Sequence, residues 1–431
     1  MALRDMAQTP TARPNTPDRK LFGNLPLFLS GQAFSHSGTW LQFVALAWLA
    51  GELTGSGTGL GWITAAAFGP LLALGPWTGA LADRVDKHRL LMAAQFLIVG
   101  QAAALGVVVL SGGGTVAMVY GLTIAFGLIH AVETPARRAF VAELVDEERI
   151  QRAVGLSGAV NAIGRVLGSL CAGALIVSAG IGWCFIATAV MYLIALGALL
   201  VIRRDALRTT EAAREPGAVR AGLRYAWGIP EFRITLLMTG VLATFGFNHQ
   251  VLVPALVNHS FDGSPGAYTL LYALIGVGSA FGALSVARRR EIDLRFLAGA
   301  VIAFALTNAL LAVSPNLTLA AVAVVTTGVA ASLFVTASTA LLQRHCAPAM
   351  RGRVMALAAM VLVGGLPIGG PIVGMIVDHV GPRAGVMVGS VAALLVAAVA
   401  LRHQPPGDQT PRQFHANLTE RVCLATAARP T

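Results

Sequence analysis

Charged residues are scarce in this chain. Asp, Glu, Lys and Arg make up 12% of its 431 residues, while 56% are hydrophobic. Soluble domains carry roughly twice that charged fraction, and a soluble chain of this length would divide into two or three domains. The scarcity points to a polytopic membrane protein, most of whose residues face lipid or other helices. Cysteine is also sparse: Cys171, Cys184, Cys346 and Cys423 show neither CxxC nor metal-ligand spacing. They read as small apolar fillers and free thiols, with no metal site among them. No GxxxxGK[ST] run is found, which excludes direct ATP drive through that motif. No metal-ligand cluster or nucleophile–base pair stands out, so neither enzymatic chemistry nor a cofactor is expected. Carboxylates are missing from the middle of the apolar runs; Glu52 and Glu133 lie near run ends. A cleavable leader is not expected, because residues 1–20 are polar and the first apolar run is too long for one.

What the chain does have is long apolar runs. They fall at 22–50, 59–82, 90–110, 115–134, 153–179, 183–202, 233–258, 267–287, 294–313, 317–341, 354–377 and 383–401. A spanning helix needs about 20 apolar residues, and helices satisfy their own backbone in lipid. The expectation is an all-α membrane protein with twelve transmembrane helices. The net charge of +11 would suggest nucleic acid in a soluble protein, but the basic residues form no patch. Of 31 Lys and Arg, 29 lie in the two tails and in alternate loops, Arg165 lies inside the fifth run, and Arg383 alone occupies an opposite loop. That asymmetry predicts cytoplasmic termini in the plasma (inner) membrane.

The organisation expected is a disordered N-tail (1–20), a six-helix bundle (21–202), a basic linker (203–232), a second six-helix bundle (233–402) and a disordered C-tail (403–431). In the linker, a short interfacial helix would turn Leu223, Tyr225 and Trp227 to lipid. The halves resemble a repeat. An offset of 203 places Gly79-Ala80-Leu81 on Gly282-Ala283-Leu284, and an offset of 202 places Gly168-Ser169 on Gly370-Pro371 and Arg149 on Arg351.

Between the second and third runs lies GALADRVDKHR, Gly79–Arg89. Its Gly79, Asp83, Arg84, Lys87 and Arg89 fall on or next to Gly-x-x-x-Asp-Arg/Lys-x-Gly-Arg/Lys-Arg/Lys, with Asp86 in place of the second Gly. The stretch resembles the loop signature of the major facilitator superfamily, in the branch of the enterobactin exporter and related secretion effectors. Pro135-Ala136-Arg137-Arg138, Glu143-Leu144-Val145 and Arg351-Gly352-Arg353-Val354-Met355 also resemble that branch. The segment after the fourth run reads as a short linker helix. The resemblance implies two pseudo-symmetric six-helix bundles around a central substrate site. It also implies a cytoplasmic latch in which Asp83 meets the start of the eleventh helix near Arg353 and Lys87 pairs with Glu133. A plain topological role for the basic residues remains the alternative.

Helix-packing candidates are Gly164, Gly168 and Gly173 in the fifth run and Gly370, Pro371 and Gly374 in the eleventh. The former resemble an exporter Gly-Pro motif in which Ser169 replaces the Pro. Arg165, buried in an apolar run, is a functional candidate by default, with helix bracing or snorkelling as the alternative. Gln32, His36 and Trp40 share one helical face. Asn161, Asn248 and His249 are further cavity candidates, while His36, His249, Glu52 and Glu133 are the groups available for proton coupling. Asp378 reads either as a turn former or as an external gate. The resemblance implies a monomeric secondary transporter in the lipid bilayer, exporting a small molecule such as a siderophore, secondary metabolite or drug, with protons as coupling ion and no nucleic-acid partner. Lysophospholipid translocation and a non-transporting sensor are the rival readings.

Overall fold

A computed structural model describes residues 24–202, 218–261, 263–287, 289 and 292–403. Both tails, residues 203–217 and the side chain of Asp83 lie outside the described residues. The described regular structure is helical: α1 (Asn24–Thr54), α2 (Gly57–Arg84), α3 (Lys87–Leu110), α4 (Val116–Glu143), α5 (Ile150–Ser178), α6 (Ile181–Val201), α7 (Ala218–Gly228), α8 (Pro230–Val241), α9 (His249–Ser260), α10 (Pro265–Ala287), α11 (Leu294–Val313), α12 (Leu317–His345), α13 (Pro348–Val380) and α14 (Pro382–Arg402). Side-chain caps start several of them, satisfying first-turn N–H groups. Ser56, Asp86, Thr115, Asp293 and Asn316 accept from Gly59, Arg89, Met118, Phe296 and Leu319.

Among the described residues, eleven segments are long and apolar enough to cross a membrane, with α8 and α9 counted as one. The expected first span is the exception. Its helix α1 has 31 residues, ample length, but it carries Gln32, Ser35, His36, Ser37, Thr39 and Gln42 and is largely enclosed by other helices. Elsewhere large apolar side chains such as Trp77, Phe96, Val177, Leu200 and Leu284 face outward, as lipid contact requires.

Two expectations need correction. The fourth helix does not end before Pro135: α4 runs through it to Glu143, and a single 3₁₀ turn, Glu147–Arg149, stands where a linker helix was expected. A membrane helix tolerates Pro because neighbouring groups absorb the lost hydrogen bond. The linker helix exists as α7, with Leu223 and Trp227 exposed. Tyr225, however, is buried: it packs on Phe232, and its hydroxyl accepts from Ala347 N–H at 3.2 Å.

The apolar cores reveal how the helices are arranged end to end. At the end of the short connections 55–56, 179–180 and 381, one core joins α1, α2, α5 and α6 to α9, α10, α12 and α13. At the other, basic end there are two. One is built from Phe28, Leu91, Phe140, Leu199 and neighbours, the other from Tyr225, Phe232, Leu297, Phe334, Val354 and neighbours. The helices before and after the linker are therefore sealed together at the short-loop end and separately cored at the basic end.

Glycines form the seal. In α2 against α13, Gly57 meets Gly374 and Gly61 meets Gly370 and Pro371; a Cβ on Gly57 would stand 2.7 Å from Val377. In α5, Gly164 and Gly168 lie on His36 and Ser37 of α1, while Gly173 lies on Thr269 of α10. Between α8 and α9 the helix loosens into a π turn, Leu242–Gly246, with Phe247 N–H reaching Leu242 C=O at 2.8 Å.

Candidate functional site

Because α4 continues past Pro135, it carries Arg137 inward one turn from Glu133. The Glu133 carboxylate is fully buried and pairs with the Arg137 guanidinium. Gln95 Nε2 donates at 3.1 Å to the same oxygen that Arg137 engages, Oε1, while the other oxygen, Oε2, stands 3.0 Å from His130 Nδ1. Arg137 Nη1 also reaches the His36 ring at 3.1 Å. A guanidinium only donates, so His36 faces it with a lone pair. Nearby, the Tyr192 and Thr39 hydroxyls share a hydrogen bond of 2.6 Å. A small cavity beside this cluster is lined by Gln32, Ser35, Gln95 and Arg137. The hydrogen bonding of the polar lining is incomplete, with Gln32 Nε2 and Gln95 Oε1 lacking partners. Gln32 accepts from Ser157 at 2.8 Å.

Lys87 is not the partner of Glu133. It donates to Glu143 at 2.6 Å in a nearly buried pair. Lys87 opens α3 and Glu143 closes α4, so they share one level, whereas Glu133 lies ten residues, about 15 Å, deeper. Arg84 and Arg89 are exposed; among the described residues, Arg89 engages Asp86, through its N–H at 3.0 Å and its side chain at 3.6 Å. The start of α13 is covered by α7, where Gly222 lies against Arg353.

A second polar group lies between α1, α5, α9 and α10. Trp40 Nε1 approaches Asn161 Oδ1 at 3.4 Å, and the Arg165 guanidinium stands 5.2 Å from the centre of the Trp40 ring. The Tyr272 ring is 6.4 Å from that of Trp40. His249 packs edge-on to Phe304, with its buried Nε2 unpartnered. Asn248 donates instead to Thr244 C=O at 2.6 Å, at the helix break. Gln32, His36 and Trp40 thus share a face as expected but serve three partners: Ser157, Arg137 and the Asn161–Arg165 pair.

At the sealed end, Trp48 stacks on Tyr268 with ring centres 5.5 Å apart, and Glu52 accepts from Trp48 Nε1 at 2.7 Å. Glu52 is exposed there. Asp378 caps neither its own turn nor its own helix. It bridges to α2, accepting from Gly57 N–H at 2.5 Å, Thr58 N–H at 2.9 Å and the Thr58 hydroxyl at 2.5 Å. A carboxylate suits the positive end of that helix. Arg137 and His130 were the residues that sequence reading missed; their spacing from Glu133, four and three residues on one helix face, is the signal that could have found them.

The chain matches the family model described as transmembrane secretion effector over residues 26–423. It is similar to the staphyloferrin A transporter of Staphylococcus aureus (strain NCTC 8325 / PS 47), 25% identical over 60% of this chain and 65% of that one, just under two thirds of the relative's length. It is also similar to macrolide efflux protein A of Streptococcus pyogenes, 24% identical over 82% and 89%. The lysophospholipid transporter LplT of Yersinia pestis (strain Pestoides F) is 28% identical over 50% and 52%. Among solved structures, a bacterial homologue of the human lysosomal transporter Spinster, inward-facing and unoccupied, superposes with a TM-score of 0.68 at 15% identity, covering 95% of this chain and 98% of that one. The likeness extends to the fold, an all-helical membrane architecture, and the relatives are transporters rather than enzymes. The chain belongs to the transmembrane secretion effector family of the major facilitator superfamily.

Proposed function

We propose that this protein exports a small organic molecule across the plasma (inner) membrane by alternating access, in exchange for protons. The observation that carries the reading is the asymmetry of the cores: one shared core at the short-loop end, two separate cores at the basic end. A rocking carrier needs that geometry in one of its two states. The basic end faces the cytoplasm in this reading, since positive residues stay inside. The cargo would then enter between the two cores from the cytoplasm. The efflux relatives favour outward transport.

Proton exchange is assigned to Glu133 with His130. Four helices contribute groups that can answer the charge of the carboxylate: Arg137 and His130 from α4, His36 from α1, Gln95 from α3 and Tyr192 from α6. Protonation of Glu133 would release Arg137 to its remaining partners and change the packing of α4 on α1. Asp83 is assigned to a latch at the start of α13 that closes the basic end in the opposite state, near Arg353.

The test compares metabolites inside and outside cells lacking the protein, complemented by wild type, Glu133→Gln or Asp83→Asn. A compound that builds up inside and is cleared by wild type alone supports the reading. Equal clearance by well-inserted variants would overturn the roles of Glu133 and Asp83. The lysophospholipid relative marks the competing outcome, in which no small molecule shifts and labelled lysophospholipid crosses reconstituted membranes.

A further inference from the structure

Arg165 is an unusual residue to keep in this fold. A cation at the centre of a membrane helix costs about 3 kcal/mol on insertion scales. Chains carry that cost where a partner acid answers the charge. Among the described residues, Lys87–Glu143, Arg89–Asp86, His130–Glu133 and Arg137–Glu133 form ion pairs, and Arg165 takes part in none. Glu133 and Glu52, the acids offered above for proton coupling, are both engaged elsewhere: Glu133 in the α4 cluster and Glu52 on Trp48. What Arg165 has instead is the face of Trp40, an interaction worth about 0.5–2 kcal/mol, with Tyr272 beyond it.

The surroundings of Arg165 are incompletely bonded. His249 Nε2 and Gln250 Oε1 are buried without hydrogen-bond partners, and both belong to α9, across from α5. His249 is near enough to feel the charge of Arg165. Unpartnered buried polar atoms are costly, so a group that completes them is favoured. Gly276 of α10 keeps the opposite wall thin; a Cβ there would stand 3.8 Å from Arg165 Cγ and 3.0 Å from Val166. The way in is open. Toward the basic end from Arg165, the α5 face at Asn161, Gly158 and Val154 is exposed, and a Cβ on Gly158 would meet nothing within 4 Å. The shared core closes the space beyond.

We infer that Arg165, with the aromatic faces of Trp40 and Tyr272 beside it, receives the carboxylate of an aromatic, amphiphilic cargo at the closed floor of the cleft. The inference rests on the exporter reading above and adds the cargo's chemical class. The cargo's carboxylate takes the charge-assisted hydrogen bonds of the guanidinium, and its ring lies along Trp40. Asn161 and His249 border the same space and select for polar groups adjoining the ring.

The test uses the full-length protein in detergent and three matched probes: naphthylacetate, naphthylethanol and naphthylethylamine, titrated calorimetrically into wild type, Arg165→Gln and Arg165→Lys. Wild type is expected to bind the acetate about tenfold more tightly than the alcohol, with the amine weakest. Arg165→Gln should bind acetate and alcohol alike, with the alcohol's affinity within about twofold of wild type. Arg165→Lys, which keeps the charge, should retain much of the preference and guards against a folding artefact. No preference in wild type, no binding of any probe, or a preference that survives Arg165→Gln would each overturn the inference. Failure here is distinct from failure of the exporter reading: a carrier whose Arg165 only braces α5 shows no carboxylate preference yet clears its compound from cells, whereas a protein that is no exporter clears none.

Discussion

Asp378 closes the short-loop end by capping the helix opposite, and its removal should be measurable. Asp378→Asn keeps the volume and loses the charge. One of its two side-chain atoms then carries N–H groups and cannot accept, so at least one of the three bonds from Gly57 and Thr58 is lost. Hydrogen bonds to charged groups contribute about 1.5–3 kcal/mol. Asp378 is exposed, which places the effect at the low end, about 1.4 kcal/mol or a tenfold shift in the closed-to-open ratio. Thr269 reports on that ratio: it is 3% exposed and abuts Gly173 across the seal. In a chain lacking its native thiols, Thr269→Cys should react with a membrane-impermeant maleimide only when the end opens. Its labelling rate then follows the open population and should rise about tenfold in the Asp378→Asn background. A rate unchanged within twofold would refute the argument that this carboxylate holds the end shut.

Three further outcomes follow from the packing. Gly61→Leu places a side chain where the backbone of Gly370 lies. The seal should then fail to form, and Thr269→Cys should label in that variant faster than in Asp378→Asn; slow labelling would count against the glycine seam. Lys87→Met leaves Glu143 charged and nearly buried and should cost about 3 kcal/mol. Adding Glu143→Leu should restore most of the lost thermal stability, and a double variant as unstable as the single one would disprove the pairing. Cys346 is buried between α12 and α13, and burial pushes its thiol above the usual range. The reactive thiolate is therefore a smaller fraction at mildly alkaline pH than in a free thiol. Its alkylation should lag behind that of a free cysteine and accelerate only as pH rises further; mass spectrometry of the labelled peptide checks this.

Much of the fold was legible because hydropathy is a one-dimensional signal. Runs of apolar residues and alternating basic loops mark spans without any knowledge of which helix touches which. Glycine spacing in α5 and α13 likewise announced close packing, though not the partners: Gly164 and Gly168 serve α1, Gly173 reaches α10, and Gly370 and Gly374 meet α2. The buried ion cluster was less legible. The fourth apolar run ends at 134, which left Arg137 in the loop beyond it, and the family resemblance alone paired Lys87 with Glu133. Once α4 runs on to Glu143, Lys87 falls level with Glu143 and Arg137 falls one turn from Glu133, so the expected pair is replaced by two others. Charge pairing depends on vertical register, and register is set by where a helix ends, which local propensity decides poorly at a proline within a membrane.

The π turn between α8 and α9 has unusually bare neighbours. Gly365 and Gly369 of α13 lie against Ala243 and Thr244, and Gly389 of α14 lies against Phe245 and Gly246. Three glycines thus border the joint on two sides, and no side-chain ridge from these positions interlocks with it. Ridges in grooves are what normally fix the angle between packed helices, and π turns are frequent at functional breaks. Here α9 carries His249 and Gln250 and belongs to the sealed core at the short-loop end, while α8 belongs to the separate core of the basic end. The span is therefore built as two levers on a smooth bearing. Under the rocking motion proposed above, that joint lets α9 move with the short-loop end while α8 stays packed in the basic-end core.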